Sequence, residues 1–119
     1  MACDVADLIP LTDLPDGFTY PPGFIRVVEL GLTNLEPWWI AQGERLLERF
    51  AGMSQRYPAR PLIPFALRQD NDDVACWDVD RGGVVIVHDF ASPGWEQRAE
   101  LPDFYTWLRQ AIEDLIAFE

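Results

Sequence analysis

At Pro61 the hydrophobic pattern of this chain changes period. Upstream, apolar residues recur at helical spacing. Downstream come short apolar runs, Leu62-Ile63-Pro64-Phe65-Ala66, Val74-Ala75-Cys76-Trp77 and Val84-Val85-Ile86-Val87-His88, divided by turn-forming residues. Runs of this length bounded by such residues read as strands. Pro64 has no N–H to give to a ladder, so it marks an edge position or a bulge. The third run is apolar throughout, which suggests burial on both faces and a central place in the sheet. Between the second and third runs, Asp80-Arg81-Gly82-Gly83 has the chemistry of a hairpin turn. A turn centred on Arg81 sets Ile86 opposite Cys76, whereas an Arg81-Gly82 loop sets Val87 there.

Helices are expected on either side of these strands. Pro22 suits a first helical turn and Gly31 the left-handed position beyond a last one, which predicts a helix over 22–30 with Phe24, Val27 and Val28 on one face. Pro37 biases Glu36 away from helix, so 35–40 is expected to be extended. Gly43 to Arg56 reads as a helix with Leu46, Leu47 and Phe50 inward and Glu44, Arg45, Glu48 and Arg49 outward; Glu44–Glu48 and Arg45–Arg49 are like-charged neighbours at i,i+4. Residues 91–95 read as a loop. Leu101-Pro102-Asp103 opens a last helix reaching Phe118, with Phe104, Trp107 or Leu108, Ala111, Leu115 and Phe118 as its apolar stripe. Residues 1–19, rich in Asp and Pro, form an irregular lead-in to one α+β domain over 20–119.

With 119 residues, nearly half of them apolar, the chain has enough material for one core. Its unbroken apolar stretches, such as Val84 to Val87, are far too short for a bilayer, and the N-terminus lacks the basic and apolar regions of a secretory signal. The protein is therefore read as cytoplasmic, with no membrane partner. Net charge is −11, and every cation is Arg. Asp is concentrated over 66–80, where five face one Arg, while 26–60 is close to neutral. Such a field repels nucleic acid and draws in a basic partner; it also keeps a domain soluble.

Asp70-Asn71-Asp72-Asp73 begins like a calcium loop, but Ala75 stands where the glycine belongs and Arg81 where the bidentate Glu belongs. These acids are read as turn-forming or partner-facing, and no metal or cofactor is expected. His88 is the single histidine. A Cys76–His88 dyad is then the one nucleophilic option, open or closed according to hairpin register; a packed thiol and a hydrogen-bonded imidazole are the simpler reading. Cys3 and Cys76 have neither metal nor redox spacing. Phosphate-binding glycine motifs are absent. No catalytic residue is assigned. Trp38, Trp39 and Trp95 lie in irregular segments where they suit partner anchoring, although one of the adjacent pair belongs in the core, since neighbours in a strand face opposite ways.

The order of these pieces resembles the SUKH superfamily, the Smi/Knr type of cell-wall-assembly-regulator domain. The residues that carry the likeness are Pro22 through Gly31, Pro37-Trp38, the strand 62–66, the acidic turn leading into a strand that ends at Asp78, the strand Val84 to Asp89, and a closing helix with Phe104, Trp107 and Leu108. The family's turn is often glycine-rich, whereas this one holds Asn71 and Asp72. The resemblance implies a mainly antiparallel sheet with helices packed against it, and an immunity protein that binds a cognate toxin, often a nuclease. The expected partner is thus a toxin or another basic protein, met by Asp70, Asp72, Asp73, Trp38 and Trp95. A regulatory interaction domain is the alternative, and a small Cys-dependent hydrolase a third.

Overall fold

The computed structural model describes residues 8–90 and 96–118. Its centre is a six-stranded antiparallel meander whose strands lie in chain order: β1 (Asn34–Leu35), β2 (Trp38–Ile40), β3 (Leu62–Arg68), β4 (Asp73–Asp78), β5 (Val84–His88) and β6 (Gln97–Leu101). Helix α1 (Pro22–Glu29) precedes the sheet, α2 (Gly43–Arg56) connects β2 to β3, and α3 (Phe104–Ala117) follows β6. This is an α+β fold. Among the described residues, no helix is long and apolar enough to cross a membrane.

Helix α1 begins on Pro22 behind Pro21 and ends as its glycine requires. Gly31 has φ +75, its N–H donates to the Val28 carbonyl, and the Leu32 N–H donates to that of Val27, which together satisfy the last-turn carbonyls. The 35–40 segment is extended but folded back on itself: Leu35 pairs with Trp38 across a Glu36–Pro37 turn whose peptide is cis. Helix α3 is capped by Asp103, whose carboxylate accepts from the Thr106 N–H at 2.8 Å and hydroxyl at 2.7 Å.

Each face of the sheet carries its own core. On one, Phe24, Val27 and Val28 of α1 and Phe104, Trp107 and Ala111 of α3 meet Ile63, Phe65, Ala75, Trp77, Val84 and Ile86. The aromatic rings interlock there, Phe65 stacking on Trp77 at 4.4 Å and meeting Trp107 edge-on at 4.9 Å. On the other face Met53 and Tyr57, from the end of α2, cover Leu62, Val74, Cys76, Val85 and Val87. Strand β5 is thus apolar from Val84 to Val87 because both its faces are covered there. Pro64 sits in central β3, where a bulge between Pro64 and Ala66 accommodates the missing N–H. The lead-in also contributes: Leu8, Ile9 and Leu14 are buried, so the core starts ahead of residue 20.

Several expectations are corrected. Cys76 lies opposite Val85, neither Ile86 nor Val87, because the hairpin loop is longer: Val79–Gly82 is closed by the Asp78 N–H on the Gly83 carbonyl and the Gly82 N–H on that of Asp78. Leu47 is exposed and Arg49 turns inward, so the buried stripe of α2 runs through Leu46 and Met53. Leu115 is exposed as well. Strand β6 was not expected at all. The proposed loop 91–95 lies outside the described residues.

Both Gly82 and Gly83 adopt positive φ, and a Cβ on Gly83 would stand 2.8 Å from the Leu101 carbonyl oxygen. Backbone cannot yield as a flexible side chain does, so strain and clash add. Gly83→Ala is expected to lower stability by about 2 kcal/mol, with Gly82→Ala, which meets open space, costing about 1 kcal/mol. Urea unfolding of the two variants side by side checks the order.

Candidate protein-binding groove

The acidic turn joins β3 to β4, and the charges it carries have separate fates. Asp70 is exposed and held by Arg68, at 2.7 Å from Nε, a hydrogen bond that keeps its carboxyl below the usual range. Asp73 turns back against the sheet, 2.9 Å from His88 Nδ1 and 3.0 Å from Arg98 Nε. Asn71 accepts the Asp73 N–H at 2.8 Å, the side-chain-to-backbone bond that makes Asn favourable in turns. Asp72 alone of the three carboxylates projects without an ion pair. Two of the three are therefore locally compensated. No three His, Cys, Asp or Glu side chains among the described residues are grouped for a metal.

Of the adjacent tryptophans, the strand alternation sends Trp38 inward. It is 4% exposed, meets Trp107 edge-on at 5.6 Å and donates its indole N–H to Asp114 at 2.9 Å, so it does not serve as a surface anchor. Trp39 faces out, 41% exposed, its indole N–H held by Gln69 Oε1 at 2.7 Å. Gln69 is fixed in turn by its N–H on the Pro37 carbonyl and its amide on Glu36. Trp95 lies outside the described residues.

Trp39 and the acidic turn border one open groove of about 710 Å³, with Asn71 and Asp72 on one wall and Gln42, Arg45 and Arg49 of the α2 side on the other. Arg45 is exposed. Arg49 reaches past the groove to the most heavily bonded carboxylate of the molecule. Asp89 is fully buried and accepts from Arg49 at 2.7 Å, from Arg56 Nε at 2.8 Å, from the Tyr57 hydroxyl at 3.2 Å and from the Phe90 N–H at 2.9 Å. Burial alone would raise its pKa, but the Arg56 and Arg49 bonds outweigh it and hold the carboxyl below the ordinary value. The Asp89 N–H donates to the Asp72 carbonyl at 3.0 Å, which ties this cluster to the acidic turn.

The Cys76–His88 pairing is not formed. Cross-strand partners share a face, so Cys76 lies with Val85 while His88 lies with Asp73 on the other side of the sheet. Burial pushes the Cys76 thiol up, away from the thiolate a nucleophile needs. His88 faces the acidic turn instead.

Sequence reasoning missed the Asp89 cluster, although a signal was present: Arg49 and Arg56 are seven residues apart, two helical turns, and so share a face. It also overstated the acidic patch. Arg49, Arg56, Arg60, Arg68, Arg81 and Arg98 all pair with carboxylates, and the excess negative charge is spread over the remaining acids. No family model matches this chain, and no curated protein or solved structure matches it either.

Proposed function

We propose that this chain is a protein-binding domain and, as the SUKH resemblance implies, an immunity protein that neutralises a cognate toxin. The observation that carries the reading is the open groove bordered both by a half-exposed tryptophan, Trp39, and by the one unpaired carboxylate of the acidic turn, Asp72. Trp and Arg dominate binding energy where they are held rigidly and desolvated by a partner, and Trp39 is pre-oriented by Gln69. The overall charge of −11 accelerates encounter with a basic protein, while the groove itself determines how long the complex lasts.

The test is capture from extract of the native cell with the purified chain as bait, followed by binding kinetics with the captured protein. Trp39→Ala is expected to weaken binding at least tenfold through faster dissociation, with stability changed by less than about 1 kcal/mol. Asp72→Asn is expected to slow association and flatten its salt dependence. For the immunity role, cells making the captured protein should arrest without this chain and grow with it. Equal growth in both cases excludes that role, and failure to capture any protein excludes the binding reading itself.

A further inference from the structure

Outside the groove, beside Arg49 on its wall, lies Phe90: the Arg49 guanidinium is 5.8 Å from its ring centroid, and the ring is 63% exposed although its backbone has φ +67. A bulky residue in the left-handed region is strained, and glycine or asparagine would occupy it more easily. The conformation is enforced rather than incidental. The Phe90 N–H is held by the Asp89 carboxylate and the Asp89 N–H by the Asp72 carbonyl, while the Arg56 guanidinium lies 4.2 Å from the ring centroid. Folding gains little from a ring left mostly in water, and strain kept without such a gain is characteristic of functional positions. The charge beside the ring is equally specific. Arg49 and Arg56 share the single carboxylate of Asp89, two guanidiniums to one acid, and their side chains remain 24% and 30% exposed.

We propose that Phe90 is a second anchor beside this binding groove, inserting into an apolar pocket of the partner protein whose rim carries a carboxylate that pairs with Arg49 and Arg56. The inference rests on the protein-binding reading and specifies the partner's chemistry. A guanidinium beside an aromatic ring offers both an apolar contact and free N–H donors; Arg49 uses only one of its nitrogens on Asp89.

The probe is the protein captured by the parent chain, purified and measured by surface-bound kinetics, together with thermal melting of the chain alone. Phe90→Asn is expected to leave the melting temperature unchanged or raise it and to weaken binding at least tenfold. Arg49→Gln, which leaves Arg56 and Tyr57 on Asp89, is expected to weaken binding severalfold and to reduce its salt dependence. A lower melting temperature for Phe90→Asn makes the ring a structural element and overturns the inference. Parent-like binding by Phe90→Asn overturns it too, and if Trp39→Ala still weakens binding the groove reading stands alone. Parent-like binding by Arg49→Gln removes the carboxylate from the partner's rim. Capture of no protein removes both readings together.

Discussion

Asp89→Asn is expected to lower stability by about 3 kcal/mol, more than any other single polar substitution in this protein. The carboxylate is fully buried and is the common acceptor for Arg49, Arg56, the Tyr57 hydroxyl and the Phe90 N–H. Asparagine keeps the shape but removes the charge, leaving two guanidiniums gathered around a neutral amide. The cost falls toward the lower end of the range for buried pairs because Arg49 and Arg56 keep a quarter to a third of their surface in water. Asp70→Asn is the matched control: its pair with Arg68 is exposed, so the change is expected to stay within about 0.5 kcal/mol. Urea denaturation of both variants decides the point. A loss under about 1 kcal/mol for Asp89→Asn would mean that the cluster adds nothing to the fold.

The same carboxylate sets a pH dependence. Its folded pKa lies below the ordinary value, so its contribution is complete above the unfolded aspartate range, near pH 4. As pH falls through the lower folded value, the folded state must take up the proton and the stabilisation is lost. The parent should therefore lose stability steeply below about pH 4, and Asp89→Asn should lose less over that interval. Between pH 7 and pH 5 Asp89 contributes no slope. Parallel acid titrations of the two proteins would refute this if their slopes below pH 4 were equal.

The parts of this fold legible in sequence are those where one local force acts without competition. Gly31 stops α1, and Pro64, whose missing N–H allows an edge or a bulge, sits at a bulge, because each residue's backbone limits leave few outcomes. Strand β5 announced itself because both its faces are covered. Strand β6 did not, since Gln97-Arg98-Ala99-Glu100 is exposed along its length and bears no apolar alternation. It exists through its ladder with β5, a tertiary cause that composition does not encode. The groove was half legible. The acidic turn stands where expected, but the choice between Trp38 and Trp39 depended on strand register. Arg49 was assigned to solvent by helical periodicity because the partner that draws it in, Asp89, is forty residues away and reaches it only through the β4–β5 pairing. Long-range ion pairs of this kind override a local amphipathic pattern.

Trp107→Ala is expected to cost about 4 kcal/mol, yet Trp107→Phe far less, about 1–2 kcal/mol. The residue is 1% exposed, where Trp38, Phe65 and Phe104 surround it with ring centroids at 5.6, 4.9 and 5.7 Å. Truncation to alanine opens a cavity that these rings, fixed by strands and by α3, are poorly able to close. Phenylalanine retains much of the aromatic contact while losing one ring of volume. It also removes a liability, for the Trp107 indole N–H is buried without a hydrogen-bond partner among the described residues, as is that of Trp77. A buried unpaired donor costs about 1–3 kcal/mol, which offsets part of the packing that phenylalanine gives up. Trp38 is the useful contrast, because its N–H is bonded to Asp114 and Trp38→Phe would lose that bond as well as volume, leaving the carboxylate to Gln110 and Arg68. The order of loss under urea is therefore expected to be Trp107→Ala largest, then Trp38→Phe, then Trp107→Phe. If Trp107→Phe proves as costly as Trp107→Ala, the stabilising element is the full indole, and its N–H is satisfied in solution.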